Sequence, residues 1–379
     1  MHATRRHTFK LIGLALALAL ASAAVPALAL ADGDDDDGFR AGKVFTSSNG
    51  AAGNELLVYD TNTAGQLSLV ARLATQGVGS GGGLGNQGAV TLSGDGRFIF
   101  VVNAVSHTVS TFSIHRSGLR FESTVDSGGL GPVSVAEHEG LVYVLNANGA
   151  GNVAGFRNLH GELKALPGSV RPLSAATGTG AAQVGFGEDG EALIVTEKGT
   201  NKLTTYRVHP NGGIGAPLVT ASAGATPFGF AVDRRGNLLV SEAFGGAAGA
   251  SALSSYSFSQ DAPARPVLVS ASVANTQSAA CWVVVTPDGR YAYTTNTASG
   301  TISQYGVQRS GRLSLLQGVA ATSGAGPIDA ALSPSGRALF VLNAGSHSIT
   351  SFGVAADGRL NGLGSLGGVP AGSSGLAAN

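Results

Sequence analysis

Apolar and polar residues alternate along most of this chain in short runs closed by glycine turns. Examples are "TVSTFSI" (108–114), "KLTTYRV" (202–208), "ALSSYSF" (252–258) and "TISQYGV" (301–307). Period-two alternation over this length predicts half-buried β-strands. A second kind of run is apolar almost throughout and ends on a polar residue: "VFTSSN" at Asn49, "FVVN" at Asn103, "YVLN" at Asn146, "LIVTE" at Glu197, "LLVSE" at Glu242, "AYTTN" at Asn296 and "FVLN" at Asn343. Their mean step is 49 residues. Turns of one kind precede most of them, "SGDGR" (93–97), "GEDGE" (187–191), "DRRGN" (233–237), "TPDGR" (286–290) and "SPSGR" (333–337). In each, glycine accepts the positive φ that a tight hairpin demands. Further strands such as "RLSLLQGV" follow the alternating runs, so each unit holds four short antiparallel strands. Four strands every 40 to 50 residues is the signature of a β-propeller blade.

Seven such blades are predicted over residues 43–379. The first unit starts directly at its second strand, "KVFTSS", with no inner strand ahead of it. At the other end, "AGSSGLAAN" (371–379) occupies the place that "AGPIDAALS" (325–333) takes in the preceding unit. The C-terminal segment is therefore expected to pair within the N-terminal blade, residues 372–378 beside 43–48, removing an open sheet edge. The inner strands carry large apolar residues on one parity (Val90, Val135, Val184, Phe230, Val283) and smaller ones on the other (Thr91, Ala136, Gly185, Ala231, Val284, Ala331). Small residues on one face suit the crowding near a ring axis.

The first 31 residues read differently. A basic start, an apolar run from Leu11 to Ala24 and Ala29-Leu30-Ala31 form a signal peptide with cleavage expected after Ala31. Arg5-Arg6 fits either a twin-arginine export signal or an ordinary signal with two adjacent arginines. No later segment approaches the length of a membrane span, so the mature chain is expected to be exported, to the periplasm or outside the cell. "DGDDDDG" (32–38) lacks the spacing of a calcium loop, and residues 32–42 are expected to be an acidic tail without fixed structure.

Lysine plus arginine and aspartate plus glutamate stand at 23 each, and cleavage lowers the former to 20. That balance offers no general attraction for nucleic acid or anionic lipid. Cys281 is the only cysteine, which excludes an internal disulfide and a thiolate metal cluster. The eight histidines offer no pair at metal-ligand spacing, so neither metal nor cofactor is expected. Glycine, at 58 of 379, is about twice its usual share while the apolar fraction of 43% is ordinary, which fits a folded chain rich in turns. The glycine-rich stretch 77–88 reads as a flexible loop between blades, since no lysine or helix follows it.

"TPDGRYAYTTNTASGTISQYGV" (286–307) and "SPSGRALFVLNAGSHSITSFGV" (333–354) resemble the blades of the seven-bladed lactonase family, which includes the propeller-type 6-phosphogluconolactonases and the carboxymuconate cyclases. The same blades resemble the wider group of propellers with a YVTN blade motif, many of them not known to be enzymes. The resemblance extends over residues 43–379 and implies a lactone hydrolase, with its site on the face bearing the loops between blades. Lactone opening needs a base for water and a donor for the developing oxyanion. Glu197 and Glu242 replace asparagine in two successive blades, bring two carboxylates to one sector of that face, and are the candidate catalytic pair. Lys198, Asn146 and Gln183 are the candidate substrate-binding donors. Only Lys198, with Arg171 by position, is available to meet a phosphate, and a phosphosugar lactone is cytoplasmic, so an unphosphorylated lactone is the expected substrate. The alternative is a non-catalytic exported propeller, a monomer like the hydrolase, whose face binds a protein, a glycan or a surface component.

Overall fold

The computed structural model describes residues 42–259 and 261–379. The signal peptide and nearly all of the acidic tail read above lie outside them. Among the described residues the strands form seven antiparallel sheets. Blade two shows the common plan from axis to rim: Val90–Leu92, Phe98–Asn103, Thr108–His115 and Gly118–Asp126. Blades four to seven repeat it from inner strands Ala181–Phe186, Pro227–Val232, Ala280–Val285 and Pro327–Leu332.

The ring closes as the sequence predicts. Ser374–Ala378 is the inner strand of blade one, beside Lys43–Ser47, with Val44 opposite Ala378 and Ser47 opposite Ser374. Thr46 adds a side-chain bond, its Oγ1 donating to the Gly375 carbonyl at 2.5 Å. Blade three departs from the uniform plan. Its outer strand is broken into Glu162–Ala165 and Arg171–Pro172, both paired to Asn152–Leu159. The break falls at Pro167, which has no N–H to give, and Gly168, at φ +70°.

Each blade interface has its own apolar cluster. Phe45, Leu56 and Val58 of blade one pack on Ile99, Val101 and Phe112 of blade two, and the same arrangement recurs around the ring until Leu57 and Tyr59 meet Phe340 and Leu342 of blade seven. With no disulfide, stability rests on these interfaces, each burying several large side chains worth about 1.5–3 kcal/mol apiece.

At the end of the ring where the blade connections arrive, the inner strands slip register by one residue, at Pro132/Ser134, Ala181/Gln183, Ala280/Trp282 and Pro327/Asp329. Such bulges re-aim the following side chain. Here they turn it toward the neighbouring blade: Ser134 Oγ accepts from Val184 N at 3.1 Å, and Gln183 holds both backbone groups of Phe230, at 2.7 and 3.0 Å.

Candidate functional site at the mouth of the ring

The polar residues that end the second strands sit inside the ring, not on its open face. Asn103, Asn146, Glu197, Glu242, Asn296 and Asn343 are all fully buried. Three of them bond the residue that follows the preceding blade's outer strand. Thr75 Oγ1 donates to Asn103 Oδ1 at 2.7 Å, Ser127 Oγ to Asn146 Oδ1 at 2.7 Å, and Asn275 Nδ2 to Asn296 Oδ1 at 2.9 Å. In these three blades the side chain stitches the arriving connection to the next blade, whereas Asn343, among the described residues, bonds only within blade seven. In blade one Asn49 leaves the series: it lies past the strand at φ +47° and reaches forward to Ser80 and Gly82.

Glu197 and Glu242 fill the same socket with one more methylene. Glu197 Oε1 accepts from Ser174 N at 3.0 Å and Thr204 Oγ1 at 2.6 Å, and Oε2 from the Ser174 hydroxyl and from Thr200 Oγ1 at 2.7 Å. Glu242 accepts from Gly224 N at 2.7 Å, Ser272 Oγ at 2.6 Å and the Ser254 hydroxyl. A buried carboxylate needs such donors, and the surrounding serines and threonines supply them. The sequence reading set the two carboxylates together on the face; in the structure each is enclosed in its own blade. Asn146 and Gln183 are likewise engaged, Asn146 with Ser127 and Asn152 and Gln183 with Phe230. Arg171, considered as a second cation, bonds the carbonyls of Gly168 and Val170 in the broken outer strand and of Gly215 in blade four.

The glycine-rich stretch is not a free loop. The connection from blade one to blade two runs from 75 to 89, whereas 127–131 or 275–279 suffices elsewhere. The extra length crosses the ring axis as a strap. Gly85 O accepts from Lys198 Nζ of blade four at 2.5 Å, Asn86 O from Trp282 Nε1 of blade six at 3.1 Å, and the Gln87 amide pairs with both backbone groups of Val283 at 3.2 and 3.3 Å. Close approach is permitted where Gly229 of blade five has no side chain: a Cβ there would stand 2.3 Å from Gln87 Oε1.

Beside the strap, over blades two to four, lies a cavity of about 350 Å³ lined by Ser80, Leu84, Val105, Asn148 and Lys198, with bare glycine backbone between them. Lys198 is the one ionisable residue lining it, among those described. Its ammonium stands 4.3 Å over the Phe228 ring, which packs at 5.1 Å on Trp282. Burial lowers the Lys198 pKa, with Cys281 opposing the shift. Burial likewise pushes the Cys281 thiol up to about 11, so at neutral pH it is an uncharged neighbour. A larger cavity, about 480 Å³, opens on the opposite face between the hairpins of blades two and three. There Arg97 pairs with Asp95 at 2.6 Å and Glu137 accepts from the N–H groups of Gly94 and Gly140, while Arg97 is the one lysine or arginine lining it, among the described residues. The mouth, with its unmatched ammonium, is the better candidate.

Among the described residues no histidine lines the mouth cavity, although His107 Nδ1 accepts from Gly131 N at 3.0 Å and stands 3.1 Å from Ala104 O, two residues that do. His115 and His160 occupy outer turns, and His138 packs on Phe186 at the far end of its inner strand. His107 and His347 share a left-handed turn position, φ +58° and +49°. Among the described residues no group of three or more His, Cys, Asp or Glu comes together as a metal site would require.

The fold is a seven-bladed propeller, and the resemblance to the lactonase family carried by the blade repeats is borne out by a match to part of the chain. Residues 255–373 match the family model described as Lactonase, 7-bladed beta-propeller. A protein from Lactobacillus plantarum is similar in structure at a TM-score of 0.72 and 18% identity, over 90% of this chain and 100% of its own. The periplasmic gluconolactonase of Pseudomonas aeruginosa is similar at 0.70 and 18%, over 89% and 99%. A candidate 6-phosphogluconolactonase from Bacteroides uniformis follows at 0.69 and 17%, over 88% and 98%. At these identities the likeness establishes the fold. No curated protein matches the chain in sequence.

Proposed function

We propose that this chain is an exported lactone hydrolase acting at the mouth of the ring on an unphosphorylated lactone. The observation that carries the reading is the ammonium of Lys198, held at the edge of a cavity by Gly85 O and the Phe228 ring. Water adds to the lactone carbonyl carbon, the ring C–O bond breaks, and the departing alkoxide gains the proton lost by the water, leaving a hydroxy acid. Negative charge develops on the carbonyl oxygen in the addition step. Lys198 is a preorganised donor for that oxygen, and the Asn148 amide, on the same cavity wall, is a second. A phosphate, with nearly two negative charges at neutral pH, has one cation to meet among the described residues lining the cavity. The family match and the likeness to a periplasmic gluconolactonase support the reaction class.

In this reading Glu197 and Glu242 hold the blades together and do not touch the substrate. Export rests on residues 1–31 of the sequence. Among the described residues no helix is long and apolar enough to cross a membrane. N-terminal sequencing of protein recovered outside the cytoplasm should begin at Asp32, and a start at Met1 would overturn the export reading.

One observation favours a second reading, a propeller that binds without catalysis: among the described residues no carboxylate or histidine lines the cavity to serve as a base. Ring opening of a panel of sugar and aliphatic lactones decides between the two, because a binding module opens none of them.

A further inference from the structure

We infer that the Lys198 cavity is a carboxylate site, which holds the ring-opened hydroxy acid more tightly than an uncharged molecule of the same shape. The inference rests on the proposed ligand class but not on turnover.

A half-buried ammonium is costly unless an anion or several acceptors compensate it. Lys198 has one carbonyl acceptor, Gly85 O, and one π face, Phe228. Among the described residues no carboxylate pairs with it. Glu197, its neighbour in sequence, is enclosed by Ser174, Thr200 and Thr204, and so leaves the ammonium uncompensated. The lowered pKa of Lys198 has the same origin in burial. The side chain is also fixed before any ligand arrives, since the Gly85 bond ties it to a strap that is itself anchored on Trp282 and Val283. An ammonium has three donors. One serves Gly85 and one faces the ring, which leaves one for a ligand in the cavity.

Hydrolysis turns a neutral lactone into a carboxylate within this cavity. The product is therefore the anion that Lys198 lacks, and the site is expected to be inhibited by its own product. The chemical class recognised is a small hydroxylated monocarboxylate; the glycine-lined walls and the volume of about 350 Å³ leave room for a short polyhydroxy chain.

The test compares D-gluconate with D-glucitol, which keeps the carbon chain and lacks the carboxylate, by calorimetric titration of the full mature chain. Wild type should bind gluconate and prefer it to glucitol. Lys198→Gln keeps a donor for Gly85 O and removes the charge, so it should weaken gluconate binding about 10- to 100-fold and leave glucitol unchanged. Lys198→Arg should restore part of the loss. No binding of gluconate to wild type, equal binding of the two probes, or full gluconate binding by the glutamine variant would each overturn the inference. An inactive protein that binds gluconate through Lys198 would retain this site and lose the hydrolase reading; an active one that ignores gluconate would do the reverse.

Discussion

Ser174 meets Glu197 twice, giving its backbone N–H to Oε1 at 3.0 Å and its hydroxyl to Oε2. Ser174 lies just beyond the outer strand of blade three and Glu197 ends the second strand of blade four, so the pair fastens one blade to the next. Glutamine can keep the acceptor for the Ser174 N–H while the hydroxyls rotate to accept from its amide. Glu197→Gln and Glu242→Gln should therefore fold and melt close to wild type and retain lactone opening. Glu197→Ala leaves Ser174 N and three hydroxyls without their acceptor and should cost about 2–4 kcal/mol. Thermal melts and a ring-opening assay check both. Glutamine variants that fold normally yet lose activity about 10²-fold or more would return the two carboxylates to the catalytic role read from the sequence.

The strap over the axis gives a prediction at Gly229. A methyl there would stand 2.3 Å from Gln87 Oε1, 2.6 Å from Cys281 O and 3.0 Å from Trp282 Cα. Two of these are backbone atoms and cannot swing away. Gly229→Ala should lower stability by about 1–3 kcal/mol, read from denaturant midpoints. Gly362→Ala, where nothing lies within 4 Å, should stay within about 1 kcal/mol of wild type. Equal effects at the two positions would mean that the strap does not seat on blade five.

Removing residues 371–379 takes away the inner strand of blade one, the Thr46–Gly375 bond, and Leu376 and Ala377 from two interface clusters. The loss should reach at least ~3 kcal/mol. Adding the segment back as a peptide should raise the melting temperature of the truncated chain. An unchanged melt after truncation would contradict closure by this strand.

Asp329 of blade seven is fully buried, with Oδ1 accepting from Ala330 N at 2.8 Å. Burial raises its pKa well above the usual carboxylate value, against the pull of the N–H groups of Ala330, Gly88 and Leu376. A raised folded-state pKa means that the folded state binds the proton more tightly than the unfolded chain. The resulting stability is complete below the unfolded value near 3.9 and is lost as pH rises through the folded one. Asp329→Asn stays neutral throughout, so it should gain stability relative to wild type as pH goes from 4 to 8. Denaturant melts at pH 4, 6 and 8 measure the difference, and a constant difference would contradict a buried protonated acid.

The architecture was legible in the chain because propeller signals are local: a glycine in each hairpin, period-two strands, and a step of 49 residues. Closure was legible too, since a missing inner strand at one end matched a surplus one at the other. The break in blade three had a visible cause in Pro167-Gly168. The functional details depend on partners far apart in sequence. Nothing near Glu197 announces that its carboxylate is enclosed, because the closing group, Ser174, arrives from the preceding blade. Gly85 and Lys198 are 113 residues apart, and Asn86 and Trp282 are 196 apart. The one local sign of the strap was length: 75–89 is far longer than the connections between other blades. Lys198 alone of the five candidate site residues lines the mouth cavity, because it is the first residue past the buried strand end.

The most direct measurement is ring opening of unphosphorylated sugar and aliphatic lactones by the mature chain and by Lys198→Met, with thermal melts of both. Methionine keeps the unbranched stem and removes the charge and donors. Wild type should open at least one lactone, and the variant should fold as wild type while its kcat falls about 10²- to 10³-fold, the usual consequence of losing an oxyanion donor. No opening of any lactone by wild type, or full activity in the folded variant, would contradict the account.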